Sequence, residues 1–299
     1  MKRLIVPLLF SCLLASRAEA RFEDVSAVAR SQAVGGAFVS LADDASALFV
    51  NPAGIVLAGP FAGYFDYDEP AGASAAGTWE SRLAACMAAG RTSFGLGWYS
   101  LERGGGGEDL LLAGAAYRLL EGTEGSLISF GANAAVGHYS SSDGIVCLTG
   151  PGLCLRGKPS RTQLTGDVGV MVRPLPVVSF AYSAQNVFGV DAGGGGAQTP
   201  WRRLQQWGVS YFWQERVVLS FAQQHADGAS TLHYGISVKT AVPIELMAGF
   251  SNARVNGGVR WVGARYGAVI AFSSDEAQRV TWTAGLEIRI RRGEKEGAP

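Results

Sequence analysis

Between residues 60 and 290 the chain keeps one pattern: apolar residues at every second position, with small or polar residues between them. In VTWTAGLEIRI (280–290), Val280, Trp282, Ala284, Leu286, Ile288 and Ile290 share one face, while Thr281, Thr283, Gly285, Glu287 and Arg289 share the other. The stretch TLHYGISVK sets Leu232, Tyr234, Ile236 and Val238 against His233, Gly235, Ser237 and Lys239. PIELMAGF sets Ile244, Leu246, Ala248 and Phe250 against Glu245, Met247 and Gly249. A period of two marks strands whose faces meet different surroundings. The pattern places strands at about 60–67, 78–88, 93–101, 109–119, 126–139, 163–172, 176–187, 204–213, 216–225, 230–239, 243–250, 256–263, 266–273 and 280–290. Most approach the length of roughly 9–11 residues that a tilted strand needs to cross a bilayer.

Energetics decides which face meets lipid. A Lys or Arg on the lipid side near mid-membrane costs about 2–4 kcal/mol. Asp167, Glu245, Arg260, Glu287, Arg289, His233 and Lys239 lie mostly with Gly and Ser neighbours, so the polar face is expected to line a lumen and the apolar face to turn outward. The connections tend to alternate in length. AGRT, RPLP, QE and AVP are short; 102–108, 140–162 and 188–203 are long. Short turns at one end and long loops at the other fit an all-β fold, a transmembrane antiparallel β-barrel of about fourteen strands. A secreted β-sandwich also alternates, but only 17% of the residues are charged, which would leave its outer face poorly solvated. Trp79, Trp98, Tyr99, Tyr139, Trp207 and Trp213 stand near strand ends, where aromatic girdles form.

No apolar run is long enough for a membrane-spanning helix. The formal net charge is zero, which argues against nucleic acid as a partner. Residues 1–20, MKRLIVPLLFSCLLASRAEA, combine Lys2 and Arg3, an apolar core and Ala18-Glu19-Ala20, the form of a signal peptide cleaved before Arg21. A lipoprotein reading would use Cys12, but Leu13 and Leu14 carry the apolar run past it. Export points to the outer membrane of a Gram-negative-type envelope, with lipid around the barrel. Residues 291–299 form a charged tail.

In CLTGPGLC, Cys147 and Cys154 are close enough in sequence to form a disulfide in an oxidising compartment, or to remain as two thiols. Cys86 is left over. No catalytic constellation occurs, and the three histidines, His138, His225 and His233, lack ligand spacing. No cofactor or metal site is expected. The glycine runs at 104–107 and 193–196 read as external loops.

Residues 21–59 break the alternation. ARSQAVGGAFVSLADDASALFVNPAG places Asp43 and Asp44 between apolar stretches and ends in Asn51, Pro52, Ala53 and Gly54. Pro52 fixes φ and ends a short helix or starts a turn. Asn51 takes local hydrogen bonds, and Gly35 and Gly36 permit close approach to a wall. The carboxylates suit lumen Arg or Lys partners, or a helix cap. The alternative is a disordered leader. The segment resembles the start of FadL-type outer-membrane proteins, including their PorV-like branch. It carries their glycine–aromatic start (Gly35, Gly36, Ala37, Phe38), their acidic core (Asp43, Asp44) and their Asn-Pro-Ala signature. The resemblance implies a plug at 21–59 inside a barrel at 60–290. It implies passive transport of a hydrophobic or amphipathic small-molecule ligand, or an accessory role holding a secreted protein partner. A structural barrel or general porin is the third reading. Insertion by the barrel assembly machinery is implied too, although the last strand ends at Ile290 and lacks the usual terminal aromatic residue.

Overall fold

A computed structural model describes residues 25–70, 78–103, 106–122, 125–141, 144–147, 154–157, 160–193, 202–226, 228–252, 254–274 and 280–290. The expected signal peptide and the charged tail lie outside them. Fourteen strands form one closed antiparallel barrel. They are β1 (Phe61–Pro70), β2 (Trp79–Ala89), β3 (Thr92–Arg103), β4 (Gly106–Glu121), β5 (Leu127–Ser141), β8 (Ser160–Leu175), β9 (Val178–Gly193), β10 (Leu204–Trp213), β11 (Val217–Ala226), β12 (Ala229–Lys239), β13 (Ile244–Ser251), β14 (Arg254–Val262), β15 (Tyr266–Ser274) and β16 (Val280–Ile290). Phe61 pairs with Ile290, so β1 and β16 close the wall and the chain enters and leaves it at the same end. The tight connections at 90–91, 176–177, 214–216 and 263–265 lie at that end, here the turn end. The opposite loop end holds the connections at 71–78, 194–203 and 275–279.

The barrel is apolar outside and polar inside, the reverse of a soluble barrel. Leu83, Leu96, Leu111, Leu246 and Leu286 are exposed on the outer face, while Asn133, Asp167, Gln206, Ser210, Glu245, Arg260 and Glu287 are buried on the inner one. In β16 the burial alternates residue by residue, as the period-two pattern requires. Trp98, Trp207 and Trp213 face outward, and Trp79 stacks on Tyr67 at 6.5 Å. Tyr99 does not join a girdle. It points into the barrel, is 1% exposed, and lies 5.3 Å from the Arg82 guanidinium. Tyr139 pairs with the buried, inward Glu108 and shares its face.

Two expected loops are in part strand, their remaining glycines lying outside the described residues. Gly106 and Gly107 extend β4 and leave only 104–105 as the connection to β3; Gly193 ends β9. The 140–162 connection contains a small hairpin, β6 (Gly144–Cys147) and β7 (Cys154–Gly157), in which Cys147 and Cys154 are directly paired in register. The turn Trp213–Arg216 has both central residues left-handed, Gln214 at φ 49 and Glu215 at φ 57, and closes with Arg216 N–H donating to the Trp213 carbonyl at 3.1 Å. Such a turn matches the strand twist, which outweighs the local cost of two non-glycine residues there.

Candidate functional site

Residues in 25–59 pack against the inner faces of the wall strands. Their local structure follows the residues. A short helix, Ala29–Ala33, stops where Gly35 and Gly36 take φ of 66 and 86. A second, Ala47–Val50, ends at Asn51, whose extended backbone (φ −150) starts a 3-10 helix at Pro52–Leu57. The Asn51 side chain accepts the Ala53 N–H at 3.1 Å, and Pro52 occupies the first position, where no N–H is missed. Ala37, Ala42, Ala47, Leu48, Ala53 and Ile55 are fully buried, so this segment supplies much of the molecule's apolar core.

Inward glycines on the wall make room for it. A Cβ on Gly249 would lie 2.2 Å from the Val34 carbonyl carbon, and one on Gly131 would lie 2.3 Å from that of Pro52. On Gly169 it would meet the Asn51 Oδ1 at 2.1 Å, and on Gly114 the Leu48 Cδ1 at 2.7 Å. On Gly258 it would come 2.7 Å from the Ala33 Cβ. These positions run from β4, β5 and β8 round to β13 and β14, so the segment is seated against both sides of the wall.

Polar wall side chains then satisfy its backbone, as buried carbonyls and amides require. Asn133 Nδ2 donates to the Leu48 carbonyl at 2.6 Å, Gln185 to Phe49 at 2.8 Å and Ser129 to Ala53 at 3.0 Å. Gln206 Nε2 donates to the Gly36 carbonyl at 3.2 Å, and the His233 Nδ1 lies 2.7 Å from that of Gly35. The Ala29 N–H donates to the Asp66 Oδ2 at 3.0 Å. No spacing rule foretold Asn133, Gln185 or Gln206; their inward parity was the only signal.

A charged chain ties the segment to β13, β14 and β16. Arg30 donates to Asp43 at 2.6 Å and closely to Asp44, which also accepts from Ser46. Arg289 stands 3.9 Å from Asp43 and 3.7 Å from Asp44, and 3.1 Å from Glu287. Arg260 donates to Glu287 at 2.6 and 2.9 Å and to Glu245 at 2.9 Å; Glu245 in turn accepts from Ser237. Burial alone would raise the Asp43 and Asp44 carboxyls; Arg30 and Arg289 outweigh it and hold both below the usual carboxylate range.

The expected lumen residues thus divide. Glu245, Arg260, Glu287 and Arg289 join Asp43 and Asp44 in this chain, and Arg30, unanticipated, ends it on the side of the N-terminal segment. His233 holds the Gly35 turn from the opposite side. Asp167 is separate: it accepts from Asn133 at 3.3 Å and from the Asn186 N–H at 2.8 Å, where a bulge interrupts the β8–β9 pairing. Lys239 sits exposed at the turn end. A second buried pair, Arg82 with Asp66 at 3.4 Å and Glu80 at 2.7 Å, was also missed, although Arg82 alternates with outward Leu83.

Among the described residues, a cavity lies on each side of the segment. The inner one, about 360 Å³, opens at the turn end between Arg30, Phe38, Leu41, Met247, Val262 and Lys239. The outer one, about 210 Å³, lies toward the loop end between Gln32, Gly36, Asp68, Gln206, His233 and Asn256. Residues 30–36 separate them, with Arg30 and Val34 on the inner cavity and Ser31, Gln32, Gly35 and Gly36 on the outer.

No family model matches the chain, and no curated protein matches it. Solved structures do. The toluene transporter TbuX of Ralstonia pickettii is 14% identical, with a TM-score of 0.60 over 88% of this chain and 98% of that one. The monoaromatic hydrocarbon channel CymD is 13% identical, with a TM-score of 0.64 over 89% of this chain and 98% of that one. A Pseudomonas aeruginosa FadL homologue is 11% identical, with a TM-score of 0.62 over 88% and 98%. The chain has the fold of these FadL-type proteins.

Proposed function

We propose that the protein lies in an outer membrane, exported by residues 1–20, and passes small hydrophobic or amphipathic molecules passively, with residues 25–59 as plug and gate. The observation that carries this is the pair of cavities on opposite sides of residues 30–36. A molecule entering from the loop end meets a partition made by residues 30–36, so a local shift of the Ala29–Ala33 helix and the Gly35-Gly36 turn joins the two spaces. The Asn51–Leu57 part need not move. The fold shared with channels for toluene and monoaromatic hydrocarbons supports the reading at the level of architecture.

The test is a reversible lock. In an Ala33→Cys/Gly258→Cys variant the two side chains meet where a Gly258 Cβ would lie 2.7 Å from Ala33, close enough for a disulfide after a small adjustment. Uptake of a small aromatic solute into proteoliposomes is expected to stop on oxidation and to return on reduction. Uptake that ignores the lock removes the gating role.

A further inference from the structure

We propose that the mouth of the inner cavity, at the turn end, is a docking site for an acidic segment of a soluble protein that also carries an apolar side chain. The proposal goes beyond passage and takes from that reading only that the turn end opens to water.

The mouth lies between two turns that bring cations together. On one side the Lys239 N–H donates to the Arg216 carbonyl at 2.7 Å, so the end of β12 sits beside the β10–β11 turn. On the other the Arg289 N–H donates to the Arg265 carbonyl at 2.7 Å, so the end of β16 sits beside the β14–β15 turn. Lys239 and Arg289 line the cavity itself. Arg289 is engaged by Glu287 at 3.1 Å. Arg216, Lys239 and Arg265 are exposed and have no ion-pair partner among the described residues. Glu245 is in register with Lys239, but Arg260 and Ser237 hold it. Residues 213–217, 239–244, 262–266 and 289–290 contain these four cations and a single acid, Glu215. Like charges fixed on neighbouring backbone repel until an anion joins them.

Between the two sides the cavity is apolar. Phe38, Leu41, Phe212, Val218, Met247 and Val262 contribute to the lining of a space of about 360 Å³. An apolar side chain gains by leaving water for that space, while carboxylates beside it reach cations on both sides.

That arrangement separates the possible occupants. A phospholipid headgroup approaches from the outer face, where the exposed neighbours at this height are Trp213, Trp261, Tyr266 and Ile290. Lys239 and Arg289 instead share the inward parity of buried Ser237 and Glu287. An amphiphile with one anionic head reaches one side only. A chain with several carboxylates spans both sides, and its apolar residue uses the cavity.

The experiment uses the full mature protein in a zwitterionic detergent. The probe is a fluorescein-labelled, end-blocked peptide with paired glutamates on each side of a leucine–phenylalanine centre, and the readout is anisotropy. Binding is expected at about 50 mM salt and should weaken at about 300 mM. Replacing the apolar centre with two serines should weaken it roughly tenfold or more. Arg216→Gln with Lys239→Gln, and separately Arg265→Gln, should each weaken it roughly three- to tenfold, and all three together more than either. The three positions are exposed, so the melting point should not change. No binding at about 1 mM peptide overturns the proposal, as does equal binding of the serine peptide or indifference to both sets of substitutions. Decanoate that binds more tightly than the peptide, and is weakened by one set only, overturns it in favour of a small amphiphile. Phosphatidylglycerol that co-purifies with the parent and is released by the same substitutions overturns it in favour of a lipid headgroup. Proteoliposome uptake of a small aromatic solute separates the two readings. Uptake without peptide binding leaves passage standing without this site, and peptide binding without uptake leaves the site standing without passage.

Discussion

Gly249 of the wall and Val34 of the N-terminal segment are in backbone contact: a Cβ on Gly249 would lie 2.2 Å from the Val34 carbonyl carbon. Neither group is the flexible end of a side chain, so neither can turn aside. Gly249→Val is therefore expected to push residues 30–36 off the wall while the barrel still closes. Limited proteolysis of folded, detergent-solubilised protein should cut within residues 25–41 in this variant and spare the parent. Gly189→Val, where a Cβ meets nothing within 4 Å, is the control and should behave as the parent.

Arg260 is buried between two carboxylates, Glu245 and Glu287, at 2.9 and 2.6 Å. Arg260→Leu leaves both acids without their main partner. The expected loss is about 3–5 kcal/mol of barrel stability, the usual cost of breaking a buried pair by removing one side. Adding Glu245→Gln and Glu287→Gln should recover most of it. Unfolding in urea from detergent or bilayers measures both; a triple variant no better than the single one would show that packing, not charge, was lost.

Asp44 is 2% exposed, and Arg30 and Arg289 hold its carboxyl below the usual range despite the burial. A depressed folded-state pKa contributes stability above the unfolded value, near 3.9, and loses it as pH falls toward the folded one. The gap in thermal midpoint between the parent and Asp44→Asn should be constant from about pH 8 to 5 and shrink below about pH 4. A gap that instead closes between pH 8 and 6 would assign the effect to another group.

Cys147 and Cys154 stand directly opposite each other in the β6–β7 hairpin, a separation that a disulfide spans. Cys86 is a free thiol buried in the barrel. Mature protein exported to an oxidising compartment should therefore titrate one thiol after denaturation, and three after reduction. Three thiols without reduction would leave the hairpin unbridged.

The barrel was legible because lipid makes period two visible. Each of the fourteen expected spans overlaps one wall strand, and Glu287 and Arg289 against Leu286 and Ile288 already told inside from outside. The packing of residues 25–59 against the wall was legible only through motif residues. Gly35 and Gly36 do approach the wall, and Pro52 does start a turn of helix, but the sequence does not say which wall residues receive them. Long-range pairing hid the rest. Arg30 does not stand out in ARSQA, because its partners Asp43 and Asp44 lie in another turn of the segment, and Arg289 comes to those carboxylates only from the last strand. Gly131, Gly169 and Gly249 read as weak strand residues for the same reason: the backbone that needs their missing side chains comes from elsewhere in the chain. Tyr99 misled because its aromatic character suggested an interface, while its parity already placed it with inward Gly95 and Gly97.

The most direct test is the conductance of the intact mature protein in a planar bilayer. A barrel whose apolar face meets lipid and whose lumen is plugged by residues 25–59 should insert and show no large steady current, and deleting or displacing residues 30–36 should open one. A large, steady conductance from the intact chain would contradict the plugged lumen and leave an open porin in its place.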